Sequence, residues 1–131
     1  MVEADSTTVA QVVSLAKQFQ TQLTGHAPAA VTVVLTGDTL VITLHEALTP
    51  AEKMLARTSA GAAQVQDFHR QLFASAADTL RQEVTRIIGR QLREAAAEVE
   101  PATGTIIHAF TTGTIVQVFS LAISDEENRR E

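Results

Sequence analysis

The sequence predicts an α+β domain: an antiparallel sheet of about five strands with an N-terminal helix, a short helix and one long amphipathic helix. Three observations lead there. Apolar residues recur at spacings of three and four near the start and again over a long middle stretch. Between these stretches, Val31–Leu35 and Leu40–Leu44 are rich in Val and Thr, flanking Thr36-Gly37-Asp38. After Gly89 the helical period gives way to a period of two. The element order is α-β-β-α-α-β-β-β.

Val9, Val12, Val13, Ala16, Phe19 and Leu23 form one apolar stripe, which defines the first helix. Asp5 or Ser6 caps its start and Gly25 ends it. Pro28 then bars any continuation. Thr36-Gly37-Asp38 is a tight-hairpin signal, because glycine takes positive φ without steric cost. In Leu48-Thr49-Pro50-Ala51-Glu52-Lys53, Thr49 is an N-cap, Pro50 the first helical residue and Glu52 the partner that closes a capping box. The short helix so begun carries Met54 and Leu55 and frays near Ser59-Ala60-Gly61. The long helix runs from Ala62 to Ile88, with Val65, Phe68, Leu72, Phe73, Leu80 and Val84 on its stripe and Gly89 as C-cap. Arg93–Val99 reads as a strand, followed by the loop Glu100-Pro101-Ala102-Thr103-Gly104.

Gly104–Phe110 and Gly113–Phe119 then repeat one strand-forming phrase nine residues apart, joined through Thr111-Thr112-Gly113 as a hairpin. Residues 1–123 make a single domain, with a charged, disordered tail at 124–131. In the doubled phrase Ile106, His108 and Phe110 share one face, and Ile115, Phe119 and Leu121 share another. Ile107, Ala109, Val116 and Val118 make the opposite faces apolar too, so the ribbon needs cover on both sides. A second copy of the chain is the simplest source of that cover. The expectation is a homo-oligomer, a dimer first, built on Ile106, His108, Phe110, Ile115, Phe119 and Leu121. Chance likeness between two strand-forming stretches accounts equally for the repeat.

The chain has 131 residues, 45 % of them apolar and 19 % charged, with a formal net charge of −5. The acidic balance argues against nonspecific nucleic-acid binding, which needs clustered cations. Cysteine is absent, which excludes disulfides, thiol nucleophiles and thiolate metal sites. No apolar run is long enough to cross a bilayer and no signal pattern opens the chain, so a cytoplasmic protein, or one peripheral to the inner face of the membrane, is expected.

Reaction chemistry is hard to find. His45-Glu46 begins like a zinc-protease helix, but Thr49 stands where the second histidine belongs. Glu94, Glu98 and Glu100 alternate along one strand face and read as solvated. His69 flanks the apolar stripe, and His108 sits inside an apolar strand, where a buried polar group needs a partner. No metal site, cofactor site or catalytic residue is expected, and the chain reads as a non-enzyme. Arg86, Arg90 and Arg93 cluster at the end of the long helix, either as a solvated complement to its dipole or as an anion or partner site.

With these motifs placed, the chain resembles the MpsC-like family, small bacterial proteins named for a sodium-translocating, membrane-potential-generating system. The likeness rests on Gly25-His26-Ala27-Pro28, the Val31–Leu44 hairpin and, above all, Leu48-Thr49-Pro50-Ala51-Glu52-Lys53. Gly61, Phe68 and Arg70, Gly89, and Glu98-Val99-Glu100-Pro101-Ala102-Thr103-Gly104 also fit. It covers roughly Val9 to Phe110; the strand expected at Thr114–Ala122 departs from it, since family members end with one strand after the Pro-Ala-Thr-Gly loop. The resemblance implies an accessory role beside a membrane cation or inorganic-carbon system and brings no catalytic residues. The function expected is therefore a non-enzymatic interaction protein that self-associates and contacts a membrane complex. The alternative is a small-molecule or anion sensor using Arg86, Arg90 and Arg93.

Overall fold

A computed structural model describes residues 6–112. They form α1 (Ser6–Thr24), β1 (Ala30–Leu35), β2 (Thr39–His45), α2 (Pro50–Leu55), α3 (Ser59–Ile88), β3 (Glu94–Glu100) and β4 (Thr105–Thr111). The class and the order of these elements match the sequence reading. The sheet differs: among the described residues it has four strands, in the order β1-β2-β4-β3, where about five were expected. Asp5, the second phrase of the repeat, the strand expected at Thr114–Ala122 with Ile115, Phe119 and Leu121, and the tail at 124–131 lie outside the described residues.

All neighbouring strands are antiparallel. β4 is paired on one side with β2 (Ile42↔His108) and on the other with β3 (Ala97↔His108). This corrects the hairpin expected between the two copies of the repeat, because β4 has no open side left for a following strand.

Alternation assigns one sheet face to the helices. Leu40, Ile42 and Leu44 of β2 and Ile106 and Phe110 of β4 are fully buried against Val12 and Ala16 of α1 and Val65, Phe73, Leu80 and Val84 of α3. The other face carries Thr39, Val41, Thr43, Thr105 and Ile107, all half-buried, and Val34, which is 53 % exposed.

Several boundaries differ from expectation for local reasons. α2 stops at Leu55, with Ala56 as C-cap. Thr58 then caps α3, its Oγ1 accepting from Gly61 N–H at 3.0 Å, so the long helix starts at Ser59 rather than Ala62. It ends as expected, with Gly89 left-handed at φ 74°. The β1–β2 turn closes through Thr36 N–H to Thr39 O at 2.9 Å, and Gly37 is not among the residues with positive φ. Arg90 instead reaches that turn and donates to the carbonyls of Thr36 and Gly37.

Candidate functional site

A chain of polar contacts that reaches into the fold starts at the first turn of α2. Thr49 is extended (φ −68°, ψ 161°), and Pro50 opens the helix with φ already fixed. The Thr49 Oγ1 accepts from Glu52 N–H at 3.2 Å, and the Thr49 N–H donates to Glu52 Oε1 at 2.8 Å. The capping box expected from sequence is therefore complete.

Glu52 does more than close the cap. Its second carboxylate oxygen, Oε2, accepts from His69 Nε2 at 2.5 Å. His69 lies on α3 and is 4 % exposed. A short bond from a ring N–H to a carboxylate is charge-assisted, and it ties α2 to α3. Glu52→Ala is expected to cost about 2–4 kcal/mol, combining a lost cap with a buried imidazole left without its acceptor. Glu52→Gln, which keeps an amide oxygen for the cap, should cost less. Urea titration of the two variants at neutral pH checks the order.

Beyond His69 lies His108 on β4, 3 % exposed. Its ring stacks at a tilt against Phe73, with centroids 4.5 Å apart. Burial, and after it repulsion from His69, pushes the His108 imidazole from 6.5 down to about 3. At neutral pH it is an uncharged ring, and its Nδ1 has no hydrogen-bond partner among the described residues. Glu52, His69, His108 and Phe73 thus run from α2 through α3 to the middle of the sheet. A carboxylate–imidazole pair can orient a proton acceptor. Here both rings are buried under α2 and α3. A shallow groove among the described residues lies elsewhere, along α1 between Thr7, Gln11, Ser14 and Gln18.

The arginines expected to bind an anion are spread over different tasks. Arg86 pairs with Glu83 one turn back, and Arg90 holds the β1–β2 turn. Arg93 lies past the helix, where its backbone N–H donates to Thr111 O. The described half of the expected oligomer surface also sits inside one chain: Ile106, His108 and Phe110 point to the helices, with 1 %, 3 % and 0 % exposure. The apolar residues facing outward are different ones: Val34, Met54, Leu55 and Phe68 are each 46–60 % exposed. Phe68, read from sequence as part of the buried stripe, lies edge-on to His69, 5.4 Å between centroids, while His69 takes the inward position.

The remaining histidines and Glu98 have partners of their own. His45 Nε2 meets Thr32 Oγ1 at 2.9 Å and His26 Nε2 meets Glu46 O at 3.3 Å. Glu98 accepts from Arg70 at the surface. Among the described residues no three His, Asp or Glu side chains are gathered so as to hold a metal ion, and no helix is long and apolar enough to cross a membrane.

A family model described as "Na+-translocating membrane potential-generating system (MpsC)" matches residues 6–114. No curated protein and no solved structure matches the chain.

Proposed function

The chain belongs to the MpsC family, and from that premise we propose that it is a non-enzymatic accessory protein that self-associates and docks on a membrane ion-translocating or potential-generating complex. The observation that carries this reading is how the fold sorts its residues. Of the groups able to move protons, His69 and His108 are buried and Glu52 is half-buried where α2 meets α3, while large apolar side chains, Val34, Met54, Leu55 and Phe68, are presented outward. A chain with only 19 % charged residues leaves more neutral surface, which slightly favours burial against a partner. The family's name points to a membrane system, and among the described residues no helix is long and apolar enough to cross a bilayer, which suits contact with a membrane partner.

Capture of the tagged chain from detergent-solubilised membranes of cells that encode it tests the docking. The expected result is enrichment of integral subunits of one cation-translocating complex over a mock capture. Recovery of the chain without membrane subunits, under conditions that keep the complex intact, overturns it.

A further inference from the structure

We propose that a second copy of this chain pairs with it through β1, strand edge to strand edge and antiparallel, joining two four-stranded sheets into one. The inference deepens the self-association part of the proposed function and rests on it.

The argument starts from the hydrogen-bond alternation. Thr36 N–H bonds Thr39 O, and the β1–β2 register runs Val34↔Val41 and Thr32↔Thr43. In an antiparallel ladder the bonded pairs alternate, so Thr32 and Val34 turn their backbone groups to β2. Val31, Val33 and Leu35 turn theirs the other way, to the edge of the sheet. None of those outward groups has a hydrogen-bond partner among the described residues.

The two edges of the sheet are treated differently. On β3 the same alternation turns Ala95, Ala97 and Val99 outward, and there Gln66 of α3 donates to Val99 O at 3.2 Å. Glu94, Glu98 and Glu100 add charge to that strand, and Arg70 reaches over it to Glu98. Charge and a covering helix are the usual means of blunting an edge. β1, Ala-Val-Thr-Val-Val-Leu, has no charge and no proline. No residue of β1 is fully buried. Its core-side residues Val31, Val33 and Leu35 stay half-exposed, while Leu40, Ile42 and Leu44 beside them on β2 are at 0 %. An added strand would complete that burial.

The register of β1 suits pairing with a second copy. Placing a two-fold axis at Val33 sets Val33 opposite itself and Val31 opposite the partner copy's Leu35-equivalent position. Every outward N–H of β1 then donates to an outward C=O of the other copy, in bonded register. The same register keeps core-side residues opposite core-side residues, and sets Thr32 across from the position of Val34 on the solvent side. The absence of charge on β1 means that self-pairing brings no like charges together.

Thr32 and Val34 are exposed in one chain, so charging them should leave the fold intact. The test compares light-scattering mass and sedimentation for wild type, the double variant Thr32→Lys with Val34→Lys, and the double variant Thr32→Glu with Val34→Glu. Circular dichroism and Tm verify folding. The expected result is a dimeric wild type, at least a tenfold weaker dissociation constant for each double variant, and recovery of a dimer when the two variants are mixed, since Lys then faces Glu across the axis. A Lys variant that stays fully dimeric overturns the β1 interface and leaves self-association standing. A wild type that is monomeric at hundreds of micromolar overturns both; that is also the outcome if residues 114–122 of the same chain occupy the edge.

Discussion

Gly61→Ala should lower stability by about 3 kcal/mol, seen as a fall in Tm of roughly 10 °C. The sign is opposite to that of an ordinary helix position, where alanine gains about 1 kcal/mol over glycine. Gly61 is a buried residue in the first turn of α3, and the conflict there is steric. A Cβ on it would stand 1.8 Å from Leu55 O and 2.8 Å from Leu55 C, both backbone atoms at the end of α2. A backbone carbonyl cannot rotate away as a flexible side chain can. The α2–α3 corner would have to open, straining the Thr58 cap and the Glu52–His69 bond with it. Thermal unfolding of Gly61→Ala beside Ala62→Gly, a control expected to lose only the ordinary propensity difference, checks this. A Gly61→Ala protein as stable as wild type would show that α2 does not press on α3 in solution.

Acid should weaken the fold through His108, and the direction follows from its depressed proton affinity. Above 6.5 the ring is neutral in both the folded and the unfolded chain, so its burial is unopposed. Below 6.5 the unfolded chain takes up the proton, while the folded chain does not until about 3. Stability therefore drains as pH falls through that window, by about 1.4 kcal/mol per pH unit, or roughly 2 kcal/mol by pH 5. That is about a fifth of the ~10 kcal/mol typical of a domain. His108→Leu removes the titration and keeps an apolar side chain against Phe73. Urea unfolding of both proteins at about pH 7 and about pH 5 should show the variant losing less, by ~2 kcal/mol. Equal losses in the two would place the acid sensitivity elsewhere.

Much of the fold was legible because local chemistry and burial pattern agree. Thr49-Pro50-Ala51-Glu52 is a cap in sequence and a cap in space. Gly89 ends α3 in the conformation that glycine alone takes readily. The sheet order was less legible. β2 meets β4 across more than sixty residues of chain, Leu44↔Ile106 being one pair, and no local signal encodes such pairing. The hairpin read into the doubled phrase followed from proximity in sequence, whereas β4 takes its second partner from far upstream. The polar cluster was half visible. The stripe of α3 can be traced through Phe68 at a step of three from Val65, or through His69 at a step of four, which also leads on to Phe73. Size and hydropathy favour Phe68; the four-step row is the one that turns inward. That choice hid the partner of Glu52, and with it the reason the acid of the capping box has a second oxygen to give. The arginine cluster was read from spacing alone, and spacing could not foresee that the turn at Thr36 and Gly37 would come within reach of Arg90.

Among the described residues, Gln66 closes off the Val99 carbonyl on one margin of the sheet, while the β1 margin has no partner. A molecule with a single open margin can satisfy it once and then has nothing more to offer. Under the proposed β1 pairing, growth would stop at two copies, and removing the guard, by Gln66→Ala with Arg70→Ala, is where a tendency to polymerise would first emerge.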